Sequence, residues 1–177
     1  MIAIIDTNVI YKASIPISKL DGDDLDCAHK CVCFLNKFVK DHANILVLDR
    51  GRRIIKEYLN AYREVVHGGP DYATVFFRTV IGGKSAFHVD DSTEITPNGD
   101  GFCEYPSDVR LVDFDRSDKK FIALANAHAL HPQIVEGADS KWWGIKDVLA
   151  EYGISVLFVD EDYIRRKYEK KMVKSVI

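Results

Sequence analysis

Three aspartates sit where an apolar run gives way to a polar turn. Asp6 closes IAII at residues 2–5, Asp139 follows QIVEGA, and Asp118 stands three and four residues before Phe121 and Ile122 in SDKKFIALA. In open α/β sheets the functional crevice lies outside the carboxyl ends of the strands, so acids at strand ends, or in the first turn of the next helix, converge there. Carboxylates gathered within a few ångströms raise one another's pKa and cannot all ionise unaided. A hard divalent cation relieves that conflict. Mg²⁺ and Mn²⁺ prefer oxygen ligands, keep several waters, and are held by one or two carboxylates plus a phosphate of the substrate. Carboxylates with a phosphate point to phosphodiester chemistry, in which the ion lowers the pKa of a bound water and fixes its line of attack; a second ion about 3.5–4 Å away also stabilises the leaving oxygen. A fourth acid, Glu57, comes from a helix, where it lies roughly 60° outside the apolar stripe. That boundary position suits a cleft wall and also suits solvent.

The elements that would position these acids follow from the apolar pattern. IAII and ILVLD (45–49) are uninterrupted runs, the mark of strands covered on both faces and hence of a parallel sheet. Between them, Ala28, Cys31, Val32, Leu35, Phe38 and Val39 keep helical spacing over residues 23–42. Arg53 to Val66 is the clearest helix: Ile54, Ile55, Tyr58, Leu59, Tyr62, Val65 and Val66 form one stripe, and His67-Gly68-Gly69-Pro70 stops it. A short helix follows with Tyr72, Val75, Phe76, Thr79 and Val80 on one face. From Gly82 to Pro106 the pattern dissolves into glycines, prolines and acids, which predicts an inserted loop or small hairpin. Asp115 or Ser117 can then cap a helix that carries Phe121, Ile122, Ala125, His128 and Ala129 inward. PQIVEGAD, a helix in WWGIKDVLAEYG, a last buried strand in ISVLFV and a basic helix in DYIRRKYEKKMVKSV complete the chain. Strands alternating with helices predict an α/β fold, a three-layer α/β/α sandwich around a mainly parallel sheet, with residues 1–177 as a single domain.

Other constellations read differently. Cys27, His29, Cys31 and Cys33 suggest zinc, but Cys27 and Cys31 share a helical face that Cys33 leaves, and no second ligand pair matches them, so small core residues are the better account. GGKS at 82–85 lacks the first glycine of a phosphate loop, because Arg78 stands there, and it follows a helix instead of a strand. No G-x-S-x-G elbow supports an acyl-transfer serine. Basic side chains flank each acid: Arg50, Arg52 and Arg53 before Glu57, Lys119 and Lys120 after Asp118, and Lys141 after Asp139. They can hold the phosphates of a strand, or simply solvate a helix surface. Of Trp142 and Trp143, one belongs to the core and the other is available for base stacking. The basic tail is open to RNA, to a partner or to solvent.

With 177 residues, 47% hydrophobic and 29% charged, the chain has ordinary globular composition. A formal charge of −3 excludes a global positive field, so nucleic-acid binding would rest on local patches. Four clustered cysteines fit a reducing compartment better than a disulfide framework. The apolar start is shorter than a signal-peptide core, and no stretch approaches a membrane span of about 20 apolar residues. Together these predict a cytoplasmic location without membrane partners.

Taken together, IIDTN at the end of the first strand, EY at 57–58, SDKKFIALA at 117–125 and GADSKWW at 137–143 resemble the PIN domain family, in order and spacing over nearly the whole chain. That family comprises metal-dependent nucleases found in RNA processing and as toxins of toxin–antitoxin pairs. The resemblance implies an endoribonuclease that leaves 5′-phosphates, with Asp6, Glu57, Asp118 and Asp139 as the acidic set around Mg²⁺ or Mn²⁺ and Asn8 as a polar helper. It implies single-stranded or structured RNA as substrate and leaves room for an antitoxin-like inhibitor and a homodimer; among the basic residues that flank the acids, Arg52, Arg53, Lys119 and Lys141 are the candidates to contact that RNA. Where many members carry a second acid two residues after the last aspartate, this chain has Lys141, and its stretch 82–106 is longer than in compact toxin-type members. Two other classes stay open. An aspartyl-nucleophile phosphatase or phosphotransferase needs an acid two residues after Asp6, where Asn8 stands; a non-catalytic module would keep the fold to bind RNA or protein.

Overall fold

The computed structural model describes residues 1–65, 72–81 and 86–174; Val66, the His67-Gly68-Gly69-Pro70 stop and the GGKS motif fall outside them. Strand β1 (Ile2–Ile5) is followed by helices α1 (Thr7–Ser14) and α2 (Gly22–Lys40), then β2 (Ile45–Asp49), α3 (Arg53–Val65), α4 (Tyr72–Ile81) and β3 (His88–Thr93). A hairpin of β4 (Pro97–Asn98) and β5 (Gly101–Phe102) leads to α5 (Lys119–Ala127), β6 (Gln133–Glu136), α6 (Lys141–Glu151), β7 (Val156–Phe158) and α7 (Glu161–Lys174). Five strands form one parallel sheet in the order β3-β2-β1-β6-β7, flanked by helices as a three-layer α/β/α sandwich.

Continuous apolar runs form the middle of the sheet because only residues without polar side chains tolerate cover on both faces. Ala3, Ile4 and Ile5 of β1, Leu46 and Val47 of β2, and Ile134 and Val135 of β6 are fully inaccessible. Right-handed crossovers send α1 to α4 to one face, since the chain steps from β1 to β2 to β3 in one direction, and α5 and α6 to the other, since it returns through β6 to β7. On the first face Phe38, Phe76 and Phe87 meet in a chain of ring contacts.

The stretch 82–106 departs from the expected insertion. His88–Thr93 is the edge strand β3 of the central sheet, and only β4 and β5 form a hairpin outside it. An edge strand is half solvated, so its polar sequence HVDDST carries no buried run to reveal it. The other edge, β7, is half-buried for the same reason, although its sequence reads as a core strand. Helix α1 is a further addition: Asp6 ends β1 and also caps α1, so strand and helix meet with no loop between them.

Candidate active site

The strand order reverses at β1, which sends the chain to β2 on one side and accepts β6 on the other, and a crevice opens at such a switch point. The register aligns Ile5 with Val135, so the next residues on the two strands, Asp6 and Glu136, emerge side by side; Asp6 N donates to Val135 O at 2.9 Å. Both side chains are buried. Asp6 Oδ1 accepts the Asn8 backbone N–H at 2.8 Å, while Oδ2 has no hydrogen-bond partner. Glu136 Oε1 accepts the N–H groups of Gly137, Ala138 and Asp139, each at 2.8 Å, and its Oε2 has no partner. The two carboxyl groups are neighbours in this buried corner of the sheet. Burial above all, then the charges of Glu136 and Asp118, pushes Asp6 well above the usual carboxylate range. Burial likewise lifts Glu136 to about 7, against the pull of its backbone donors.

The other acids arrive from three directions. Tyr58 is buried and donates its hydroxyl to Ile5 O at 2.5 Å, which ties α3 to the end of β1 and brings the preceding Glu57 to the cleft. Glu57 Oε2 accepts from Thr7 Oγ1 at 3.2 Å, and Oε1 from the buried Lys120 ammonium. Asp118 precedes α5 but makes no capping bond, so its carboxylate is left to the cleft. Burial, with the charge of Asp115, raises its pKa to about 6, and Lys141 partly offsets this. Asp139 stands on the loop that Glu136 fixes, and its Oδ1 accepts the Lys141 N–H at 3.0 Å.

The cleft, about 470 Å³, is lined by Asp6, Thr7, Asn8, Tyr11, Glu57, Asn60, Ala61, Asp115, Ser117, Asp118, Asp139 and Lys141. All four acids named from sequence, with Asn8, thus share one cavity. Asp115 and the adjoining Glu136 are additions. Asp115 reads in sequence only as a helix cap, but it points to Lys141, 2.5 Å away, whose hydrogen bond holds the Asp115 pKa down to about 2. Glu136 closes an apolar run just as Asp6 does; that shared pattern is its one signal in the sequence, and it is too common to single out Glu136 without the strand register.

The four basic residues separate. Lys141 enters the cleft, 3.3 Å from Asp139 and 4.0 Å from Asp118. Arg53 is engaged by Asp49 at 3.1 Å, which also caps α3 through the N–H groups of Arg53 and Ile54. Lys119 donates to Val112 O at 2.8 Å over the Tyr105 ring. Arg52 is exposed, with its backbone in the left-handed region. The cysteine cluster behaves as core: Cys27 and Cys31 are buried and Cys33 is exposed. Trp142 is fully buried, and Trp143 packs on Phe158.

Among the described residues no three His, Cys, Asp or Glu side chains are gathered closely enough to hold an ion as they stand. Lys120 on Glu57 and Lys141 between Asp115 and Asp139 supply positive charge in that space. The donor set nevertheless fits a hard cation on the Asp6 side: every acid offers oxygen, and the Asp6 Oδ2 and Glu136 Oε2 atoms are buried acceptors without donors. Comparisons with models of protein families, with curated proteins and with solved structures found no match. No helix among the described residues is long and apolar enough to cross a membrane.

Proposed function

We propose that the chain is a metal-dependent endoribonuclease of PIN type. One observation carries the reading: Asp6, Glu57, Asp118 and Asp139, dispersed in sequence, line a single cleft at the sheet's switch point, and the buried Oδ2 of Asp6 has no donor. Asp6, Asp118 and Asp139 would hold Mg²⁺ or Mn²⁺, with Glu57 on the wall that α3 contributes. Bound there, the ion would supply Lewis acidity toward the phosphate and an activated water.

The chain's own residues set the rest of the chemistry. Glu136 Oε1 fixes the Asp139 loop through three N–H donors, so this acid is in place before any substrate arrives. Lys141 stays charged: burial alone would lower its pKa, but Asp115 and Asp139 outweigh that and raise it. Its ammonium therefore donates hydrogen bonds to a phosphate oxygen and is a poor proton source for the leaving 3′-oxygen. Lys120 neutralises Glu57, which limits the repulsion that a phosphodiester would meet at that wall. In the cytoplasmic setting proposed here, an antitoxin-like partner would act by covering the same cleft.

The test is cleavage of single-stranded RNA in Mn²⁺ by the natural chain and by Asp118→Asn. The reading expects 5′-phosphate products and a loss of more than about 100-fold in the variant, beyond what indirect support of a metal site provides. Equal rates in the two proteins would sink it. A second reading draws on the same lysines: internal neutralisation of the acids suits a module that binds RNA without cutting it. Calorimetry separates the two, since the binding module needs no carboxylate-dependent Mn²⁺ uptake.

A further inference from the structure

A second cavity, about 340 Å³, adjoins the acidic cleft, and Asn8, Tyr11 and Asp139 line both. Its remaining walls differ in charge. Lys12, Ile15, Ala138 and Lys167 stand where the cleft has its other carboxylates, leaving Asp139 at the shared wall as the only acid of this cavity among the described residues. Lys12 is paired with Asp24, but Lys167 has no carboxylate within ion-pair distance among the described residues. Its ammonium donates to Ala138 O at 2.8 Å and lies 5.3 Å from the centre of the Tyr163 ring. Tyr11 stands where the two cavities meet, 44% exposed although it is a large aromatic on a short helix whose other face is buried.

An acidic chamber beside a basic one, divided by an exposed ring, matches the chemistry of a single polynucleotide strand. Successive phosphates demand cations, and bases freed from a duplex stack on aromatic faces without regard to sequence. A duplex hides those faces. We propose that this second cavity is a binding subsite for the nucleotide flanking the scissile bond in single-stranded RNA: Tyr11 stacks its base, and Lys167 of the C-terminal helix holds its phosphate. The basic tail thereby joins the site through one residue, since its neighbours Arg165 and Arg166 are engaged by Asp162 and Asp23. The proposal rests on the nuclease reading for its choice of RNA, but it is tested by binding and not by cleavage.

The experiment measures anisotropy of a labelled single-stranded oligoribonucleotide against the full chain carrying Asp118→Asn, with Mn²⁺ present. Adding Tyr11→Ala should weaken binding about 5- to 150-fold, the range for removing one base–aromatic stack, whereas Tyr11→Trp should hold affinity near that of the parent. Alanine is the best helix former, so the exposed site tolerates the change and circular dichroism should be unaltered. Lys167→Gln should reduce the slope of log affinity against log salt by about 0.7, the change expected when one fewer phosphate of a single strand is neutralised. A blunt RNA duplex of equal length should bind more weakly than the single strand. Unaltered affinity in Tyr11→Ala, an unaltered salt slope in Lys167→Gln, or no measurable binding by the parent overturns the subsite. Failure of the nuclease reading is distinguishable, because the natural chain would then leave RNA uncut in Mn²⁺ whatever these affinities are.

Discussion

Glu136→Gln should make the protein more stable at neutral and alkaline pH, which is unusual for a change at a fully buried, hydrogen-bonded residue. Glutamine keeps a carbonyl oxygen for the N–H groups of Gly137, Ala138 and Asp139, and its amide supplies the donor that Asp6 Oδ2 lacks. The folded state holds the Glu136 proton up to about pH 7, whereas the unfolded chain releases it near 4.5. Between those values the native protein binds more protons than the unfolded one, so stability falls as pH rises. Below the lower value there is no penalty, and above the upper value it is fully developed. A difference of about 2.5 pH units at about 1.4 kcal/mol each amounts to a penalty of about 3 kcal/mol at pH 8, which the variant escapes. Asp118 shifts in the same direction and adds a fall in stability common to both proteins, whereas the part of the Asp6 shift that comes from the Glu136 charge is lost in the variant and adds to the difference between the two, which is the quantity to measure. Urea denaturation in chelator from pH 4.5 to 8 should show midpoints that converge in acid and separate by about 1–2 M at pH 8, for an m-value near about 2 kcal/mol/M. Curves that stay parallel over this range, or a variant less stable at pH 8, would falsify the buried-pair account.

The same pair predicts that Mn²⁺ binding at pH 6 releases about one proton, seen as a binding heat that scales with the ionisation enthalpy of the buffer; a buffer-independent heat would argue against it. Lys141→Ala should raise Mn²⁺ affinity about tenfold and admit a second equivalent, because an ammonium 3.3 Å from Asp139 and 2.5 Å from Asp115 no longer competes; calorimetric stoichiometry checks this. Gly137→Ala should cost about 1–3 kcal/mol in urea denaturation, since its Cβ would stand 2.9 Å from the Val9 Cα and 3.1 Å from Cys31 Sγ, and the Val9 backbone has nowhere to move.

What the sequence disclosed depended on how completely each element is buried. IAII, ILVLD and the stripe of α3 declare themselves because two-sided cover, or one sustained face, requires apolar residues at fixed intervals. The convergence of Asp6, Asp118 and Asp139 on one edge followed from the parallel sheet alone, and Glu57 from its place at the margin of the stripe. Glu136 was hidden because a glutamate after two apolar residues resembles any solvated strand end; only the pairing of Ile5 with Val135 sets it against Asp6. Asp115 was hidden because its partner, Lys141, comes from a distant helix. Helix α1 is not legible in the sequence because an aspartate that ends a strand leaves no sign that it also begins a helix.

The polarity that concealed β3 has a use of its own. A terminal strand presents unpaired backbone groups to any other extended chain, and proteins discourage that association with charge. β3 exposes His88, Val89, Asp91 and Ser92, with Asp90 beside them engaged by His128 at 3.1 Å. A second molecule adding itself to this edge would have to bring its own strand against Asp90 and Asp91, so like charge guards the margin of the sheet against uncontrolled growth into aggregates.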